Sequence, residues 1–374
     1  MNLRHLDILR AGLALMVLMG HARMMLWTGW QNWRAIPHEL WETVVTVFFS
    51  GFRFGHQAVM VFFALSGFFI HWRAATALAE GRSTNFQAPE YLGRRARRIL
   101  PPYFAALLFT VLLDLIGRSW WPRLYLAQTG DVLLDSNFSH AGYGWEAVVP
   151  ALLAQPNLFG IRFGGNGPLW SIGHEVFYYL LYPLFMALWQ RRRWLAYWVG
   201  MGTGVACWFL PFAGWWSGML AAYPIWLSGA LMAEWLAAEN MRASVRRWAW
   251  ILCGLGSLGA LTGLHCVADS SLLSLGLNML MGMSAIAAFA WMPFDMLNLR
   301  VGRIMEWLGI RSYSLYIFHF PVLVLLSAWC IQTFGERPFH GWLAAAGVAL
   351  SLGFGLLAFH LVEHRFLPKR LRAA

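Results

Sequence analysis

Two ionisable residues in one apolar stretch near the N-terminus have the types and spacing to bind an anionic substrate and to transfer a proton. Arg10 and His21 stand at the two ends of RAGLALMVLMGH. In a helix they would lie ~16 Å apart on nearly the same face. A guanidinium can bind phosphate, and an imidazole can accept a proton near neutral pH. The alternative is structural, with His21 bonded to a neighbouring carbonyl and Arg10 anchoring the helix at the membrane edge.

Two further apolar segments carry polar side chains that could join this chemistry. Glu175 lies in LWSIGHEVFYYLLYP, and Tyr178, Tyr179 and Tyr182 follow it on the same helix face. His319 lies in SYSLYIFHFPV. A carboxylate inside a membrane span is costly, so Glu175 is predicted to be either functional or part of a buried link to an arginine or a tyrosine.

An arginine cluster precedes another apolar segment, in YLGRRARRILPPY. Arg95 and Arg98 could bind phosphate groups with their paired N–H donors. The alternative is a cluster that sets membrane topology or binds anionic lipid. The pair Ser66 and Gly67, in FFALSGFFI, suits either a functional hydroxyl or close helix packing.

The elements that must position these residues are membrane-spanning helices. Of the 374 residues, 59% are hydrophobic and 12% charged, a composition far from that of soluble proteins. We predict an all-α integral membrane protein with about ten transmembrane helices, since about twenty apolar residues cross the bilayer. The predicted spans are 6–27, 56–74, 99–118, 167–189, 194–211, 214–236, 247–266, 272–292, 306–331 and 341–363.

The charge distribution indicates how these spans are oriented. The net charge of +11 could suggest a nucleic-acid partner, but about three quarters of the basic residues fall on one side of the predicted topology. This bias predicts N-in, C-in and no nucleic acid. We expect a single transmembrane domain over 1–374, with a cytoplasmic Arg-rich loop at 75–98, a periplasmic loop at 119–166 and an interfacial helix near 39–54. The four cysteines lack metal-ligand spacing, so no metal site is predicted.

Taken together, five motifs resemble the acyltransferase-3 family of bacterial membrane O-acyltransferases. They are RHLDILRAGLALMVLMGH, FFALSGFFI, the RxxR of Arg95 and Arg98 before ILPPY, LWSIGHEVFYYLLYP and SYSLYIFHFPV, in the family's order. Two departures stand out. Glu363-His364-Arg365-Phe366 replaces the Glu-Arg-Pro of many members. No fused hydrolase-like domain is expected, so acceptor choice would come from the membrane domain and the loop 119–166.

The resemblance implies roles for the residues that match its motifs. His21 and Glu175 are the expected catalytic residues. The residues expected to bind the acyl donor are Arg10, Arg95, Arg98 and Ser66. The residues expected to bind the acceptor are Trp170, Ser171, Tyr178, Tyr179, Tyr316 and His319.

The implied enzyme is a multi-pass O-acyltransferase of the bacterial inner membrane. It would transfer an acyl group, usually acetyl, from cytoplasmic acetyl-CoA to a hydroxyl of a surface or exported polysaccharide, often lipid-linked. The arginines would hold the phosphates of coenzyme A, and the pantetheine arm would run beside the first helix to His21. The residues leave open whether His21 acts as general base or carries the acyl group, and whether Glu175 orients His21 or binds sugar hydroxyls.

Two other classes of protein remain compatible with the buried histidines and glutamate. A polytopic transporter or proton-coupled permease would use them to move protons or solutes. It would usually show repeated halves or paired broken helices, and neither is evident. A non-catalytic scaffold would tolerate substitution of His21 and Arg95. The acceptor glycan, the acyl chain and any homo-oligomer stay open.

Overall fold

The computed structural model describes residues 3–29, 33–34, 37, 39–209, 215–239, 242–267, 271–292, 295, 298–338 and 341–367. These residues are mostly helical, as apolar sequences must be in a bilayer, because a helix satisfies its own backbone hydrogen bonds. In chain order the elements are α1 (His5–Leu26), α2 (Leu40–Ser50), α3 (Gly55–Ala79), α4 (Ala88–Trp120), α5 (Pro122–Tyr125), α6 (Val132–Phe138), β1 (Ala141–Gly142), α7 (Trp145–Leu152), β2 (Arg162–Phe163), α8 (Trp170–Trp189), α9 (Arg193–Phe209), α10 (Trp215–Ala238), α11 (Ala243–Leu264), α12 (Leu272–Ala290), α13 (Arg300–Ile310), α14 (Ser312–Phe334) and α15 (Trp342–Leu361). Short 3₁₀ helices cover Gly167–Leu169 and Glu363–Phe366.

Several of these helices can cross a membrane. Within the described ranges, six helical segments are long and apolar enough, as a multi-pass membrane protein requires. The six are His5–Leu26, Leu40–Ala79 (which contains α2 and α3), Ala88–Trp120, Leu272–Ala290, Ser312–Phe334 and Trp342–Leu361. The other predicted spans coincide with α8, α9, α10 and α11, which have 17 to 24 residues. The number of crossings and their orientation stay predictions.

The Arg-rich segment 75–98, predicted as a cytoplasmic loop, is mostly helical. Only residues 80–87 connect α3 to α4, and the cytoplasmic position of the segment stays a prediction. Arginine is a good helix former, and the cluster therefore extends α4 toward its N-terminus. Arg95 and Arg98 consequently stand on one helix, one turn apart.

The helices form two compact units, each built from three stretches of the chain. The first unit contains Met1–Leu13, His56–Arg95 and His174–Ile310, and the second contains Ala14–Gly55, Ala96–Gly173 and Arg311–Ala374. Helices α1, α4 and α8 have residues in both units, and α3 belongs to the first unit except for Gly55.

In the first unit, α3 crosses α10 at a point where both helices carry glycine. A Cβ on Gly67 would lie 1.9 Å from the carbonyl oxygen of Trp226, and a Cβ on Gly229 would lie 1.8 Å from that of Ala64. No side chain fits at such distances, so the two backbones approach closely only because both positions are glycine. This contact fixes the neighbouring Ser66 against α10.

In the second unit, α14 packs along α15 and against the C-terminal half of α1. Its core joins Leu18 and Ala22 of α1 to Leu323 and Ile331 of α14, all at most 3% exposed. The predicted loop 119–166 contains α5, α6, α7 and both strands, and its apolar part is buried against α4. Ala147 and Ala151 are fully buried, and the Tyr103 hydroxyl donates to the Ala151 carbonyl at 2.9 Å.

Glu363 secures the start of α14 from a distant position in the chain. Its Oε2 atom accepts hydrogen bonds from the Ser314 backbone N–H at 3.1 Å and the Ser314 hydroxyl at 2.5 Å. A carboxylate at a helix N-terminus accepts from N–H groups that lack partners in the helix, and its negative charge interacts favourably with the positive end of the helix dipole. Glu363 therefore holds in place the helix that carries Tyr316 and His319.

Candidate active site

His21 and His319 form a hydrogen-bonded pair within the second unit. The Nδ1 atom of His21 lies 2.8 Å from the Nε2 atom of His319, and the two rings are inclined by only 10°. Phe320 contacts His21 edge-on, with ring centroids 5.0 Å apart. His319 is 1% exposed, whereas His21 keeps part of its surface exposed. The pair therefore has one buried and one accessible member.

A backbone carbonyl determines which nitrogens of this pair carry protons. His319 Nδ1 lies within hydrogen-bond distance of the Tyr316 carbonyl oxygen, which can only accept, so Nδ1 carries the proton. In neutral His319, Nε2 is then an acceptor, and His21 must donate to it from Nδ1. This leaves a lone pair on Nε2 of neutral His21, which no described residue engages. That nitrogen can accept a proton or attack a carbonyl carbon.

The start of α8 is bound to the same turn of α14. The hydroxyls of Ser171 and Tyr316 lie 2.7 Å apart, and each lies 3.1 Å from the Pro168 carbonyl oxygen, so one hydroxyl donates to the other and the second donates to the carbonyl. Ser171 is 4% exposed and Tyr316 8%. Trp170, beside them, is partly exposed at the first position of α8. The structure therefore brings together Ser171, Tyr316 and His319, three of the residues predicted to bind acceptor.

The segment before α8 is anchored by a buried carboxylate of α4. Asp114 is fully buried, and its Oδ2 atom accepts from the Tyr143 hydroxyl at 2.7 Å and from the Gly165 N–H at 2.6 Å. Burial, then the charge of Asp114, raises the pKa of Tyr143, which therefore stays a hydrogen-bond donor. Gly164 has φ +54°, and a Cβ there would collide with the Tyr143 hydroxyl.

Within the first unit, Glu175 is held by two hydroxyl groups. Ser66 Oγ donates to Glu175 Oε1 at 3.0 Å, and the Tyr179 hydroxyl donates to the same oxygen. The Trp226 indole N–H donates to Ser66 Oγ at 3.3 Å. Glu175 itself stays partly exposed. Ser66, Glu175 and Tyr179 therefore form one cluster, although the sequence assigned them three different roles.

Aromatic rings support two of the predicted donor-binding arginines of the first unit. The Arg95 guanidinium carbon lies 5.7 Å from the ring centroid of Tyr91 and 5.8 Å from that of Tyr179. Arg10 lies 4.2 Å above Phe69 and pairs with Asp7 at 3.0 Å. Arg95 forms no ion pair with any described residue, and its buried Nε makes no hydrogen bond to one. It therefore keeps donors for an anionic ligand.

The last two predicted site residues have different surroundings. Arg98, on the part of α4 that belongs to the second unit, is partly exposed and lies near the Glu363 carboxylate. Tyr178 is fully buried, and its hydroxyl donates to the Met219 carbonyl at 2.9 Å. A substrate could reach Tyr178 only after side chains had moved. Its predicted role in acceptor binding stays a prediction.

The sequence matches the acyltransferase domain family over residues 3–359, almost the whole chain. The protein belongs to this acyltransferase family. Its membership confirms the resemblance carried by the five motifs and does not favour a transporter.

Two curated relatives are similar to this acyltransferase over most of its length. The peptidoglycan O-acetyltransferase OatA of Listeria monocytogenes serovar 1/2a (strain EGD-e) is 23% identical over 344 residues, which are 84% of this chain and 52% of OatA. YrhL of Bacillus subtilis (strain 168) is 23% identical over 344 residues, 83% of this chain and 50% of YrhL. The chain therefore spans about half the length of the curated relatives it matches. No solved structure matches it.

The acyltransferase contains a second buried carboxylate network that the sequence analysis missed, on the first unit. Glu234 Oε1 accepts from His71 Nε2 at 2.9 Å, from the Trp189 indole at 2.6 Å and from the Tyr197 hydroxyl at 2.8 Å, and Arg193 pairs with the other oxygen. Asp114 was missed as well. Both acids are single charges inside apolar segments, and the cost of such charges in a membrane was the signal that could have found them.

Metal ligation does not account for these clusters in the described ranges. No group of three or more histidine, cysteine, aspartate or glutamate side chains there is arranged to hold a metal ion.

Proposed function

We propose that this protein is a membrane-bound O-acyltransferase that acetylates a hydroxyl of a surface or exported polysaccharide, with acetyl-CoA as the cytoplasmic donor. The observation that carries the proposal is the His21–His319 pair, which leaves Nε2 of His21 as an accessible base or nucleophile. Membership of the acyltransferase family supports the same reaction class. The name of OatA supports acetyl as the transferred group and a cell-wall glycan as the acceptor.

The donor would be bound through its phosphates. Arg95 supports this role because rings hold its guanidinium plane, and because no carboxylate among the described residues neutralises it. Arg98 follows one turn later on α4, and Arg10 stands on α1. From Arg10, α1 rises ~16 Å to His21, on the scale of an extended pantetheine arm. The thioester would then lie beside the imidazole.

The chemical step would centre on Nε2 of His21, by one of two routes. In the direct route, Nε2 takes the proton of the sugar hydroxyl while the oxygen attacks the thioester carbonyl. The carbon–sulfur bond breaks, and the thiolate takes the proton from the imidazolium. In the other route, Nε2 attacks the thioester first, the carbon–sulfur bond breaks and the thiolate leaves. The sugar hydroxyl then attacks the acyl-imidazole, the carbon–nitrogen bond breaks, and the hydroxyl proton passes to the thiolate. His319 stabilises the positive charge that forms on His21 in either route.

The remaining predicted residues would assist substrate binding. Glu175, partly exposed and held by Ser66 and Tyr179, would accept hydrogen bonds from the donor or from sugar hydroxyls. Trp170, partly exposed at the start of α8, would stack on a sugar ring. Ser171 and Tyr316 would act mainly by holding the turn that contains His319.

The central experiment is transfer of label from acetyl-CoA to a glycan by the purified protein. His21→Ala should abolish transfer, whereas His360→Ala, which removes an exposed histidine of α15, should keep wild-type turnover. Wild-type turnover in His21→Ala would contradict the proposal. Labelled protein quenched without acceptor distinguishes the routes, because only the covalent route leaves label on His21.

A second experiment addresses the donor site. Arg95→Leu combined with Arg98→Leu should raise KM for acetyl-CoA about tenfold or more, since two charge-assisted contacts are lost. Arg97→Leu is the matched control, because Arg97 is an exposed arginine between them on the same helix. An unchanged KM in the double variant would refute the phosphate assignment.

A further inference from the structure

A second group of arginines lies at the C-terminal end of α1, within the second unit. Arg337 donates at 2.8 Å to the carbonyl of the residue that follows Arg23, which brings the two side chains together. The segment that carries Arg53 packs against the same helix, since a Cβ on Gly20 would lie 2.9 Å from the Phe52 carbonyl oxygen. Arg53 and Arg337 are both close enough to repel Arg23 electrostatically.

This group contains more positive charge than the surrounding carboxylates offset. Arg337 pairs with Asp131, with 2.5 Å between Nη2 and Oδ2. Arg23 and Arg53 form no ion pair with any residue that the structure describes, and the buried Nε of Arg23 makes no hydrogen bond to one. Arg23 and Arg337 are half-buried, so the neighbouring positive charges repel one another, and a bound anion would relieve that repulsion. The arrangement is therefore typical of a site for an anionic ligand.

We infer that Arg23, Arg53 and Arg337 bind an anionic group of the acceptor, so that the enzyme acylates acidic glycans in preference to neutral ones. The inference rests on the proposed function and specifies its substrate class. Arg23 follows His21 by a rise of only ~3 Å along α1, but about 200° further around it, so the two side chains leave the helix on different faces. We therefore place the anion on a part of the acceptor other than the acylated sugar. Guanidinium groups bind carboxylates and phosphates equally in kind, so the anion is a uronic acid carboxylate or the diphosphate of a lipid carrier.

The test compares three acceptors in the labelled acetyl-CoA assay with the full-length protein. They are a neutral oligosaccharide, an oligosaccharide of the same length that contains a uronic acid, and the neutral oligosaccharide linked to a polyprenyl diphosphate. We expect kcat/KM for one of the anionic acceptors to exceed that of the neutral one by about ten- to a hundredfold. Which one exceeds it identifies the source of the anion. Equal kcat/KM for all three would overturn the inference.

Variants tie the preference to the arginines. Arg53→Gln should lower the preference for the anionic acceptor about tenfold, and Arg53→Lys should restore part of it, because the charge returns without the paired donors. Arg53 is exposed, so neither change should disturb folding. Arg123→Gln is the control, since Arg123 donates to the Ile331 carbonyl and lies near Asp135, and it should keep the wild-type preference. An unchanged preference in Arg53→Gln and in Arg23→Gln would refute the site.

A binding measurement separates this inference from the proposed function. Titration of the protein with the anionic oligosaccharides needs no acyl transfer, and affinity should fall about tenfold in Arg53→Gln. If binding depends on the arginines but no acceptor is acylated, the proposed function fails and the anion site stands. If acceptors are acylated but no anionic oligosaccharide binds better than the neutral one, only the anion site fails.

Discussion

Replacement of His319 tests whether the buried imidazole controls the accessible one. His319 accepts from Nδ1 of His21 at 2.8 Å while its own Nδ1 is bound by the Tyr316 carbonyl. His319→Leu removes the acceptor but keeps an apolar side chain in a site that is 1% exposed. His21 can then move its proton to Nε2, which is the nitrogen that the proposed reaction needs unprotonated. His319→Gln is the matched variant, because its amide oxygen can still accept from His21.

The size of the effect follows from the hydrogen bond that is lost. A buried donor left without its partner costs ~1–3 kcal/mol. A change of about 1.4 kcal/mol in the activation free energy is tenfold in rate, so kcat of His319→Leu should fall roughly 5- to 160-fold. The KM for acetyl-CoA should change little, because the proposed phosphate contacts lie at Arg10, Arg95 and Arg98. His319→Gln should recover a large part of kcat.

The assay is steady-state transfer of labelled acetyl to the glycan, with both substrates varied. Thermal unfolding of each variant in detergent checks that the fold is kept. A kcat of His319→Leu within twofold of the wild type would refute the reasoning about the tautomer. An equal loss in His319→Gln and His319→Leu would show that packing, and not the hydrogen bond, is what His319 provides.

Three further predictions concern the elements that hold the site. Glu234→Leu leaves three buried donors without an acceptor and should lower the free energy of unfolding by ~3–5 kcal/mol. Denaturant titration measures this, with Glu90→Leu as an exposed control. An unchanged denaturation midpoint would contradict the prediction. The valine side chain in Gly67→Val cannot avoid the Trp226 carbonyl, so the variant should not fold. Size-exclusion chromatography should show loss of the monodisperse peak. A stable Gly67→Val protein would show that α3 and α10 do not cross as described. Asp114→Leu removes the acceptor of Tyr143 and should speed proteolysis of the segment 119–166 severalfold; an unchanged rate would show that Asp114 does not anchor it.

Local sequence patterns sufficed to predict most of the helical framework. Apolar runs of membrane-spanning length predicted the long helices, and the apolar pattern after residue 39 predicted α2. Glu175 was predicted to be functional or part of a buried link to an arginine or a tyrosine, and it accepts a hydrogen bond from the Tyr179 hydroxyl. Ser66 was predicted to be a functional hydroxyl or a packing position, and it donates to Glu175. Such patterns are local, because the bilayer imposes the same demand for apolar surface and satisfied backbone on every span.

The partners of each polar side chain could not be predicted, because they are distant in the chain. His21 and His319 are 298 positions apart, and nothing local to either residue specifies the other. The sequence indicated only that both histidines lie in apolar segments. The helical start of α4 was missed for a different reason, since a cluster of arginines suits a cytoplasmic loop and a solvated helix turn equally well.

The anchoring of Asp114 has a consequence for how the protein is made. Tyr143 and Gly165, which donate hydrogen bonds to its carboxylate, follow it by 29 and 51 positions. During synthesis α4 is complete before either of them has left the ribosome. The carboxylate therefore enters the membrane insertion machinery without its native partners. A charged aspartate at the centre of a span costs ~3 kcal/mol, and Asp114, four residues from the end of the predicted span 99–118, costs less. The transfer of the apolar side chains of α4 into the bilayer must offset that cost until Tyr143 and Gly165 have been synthesised.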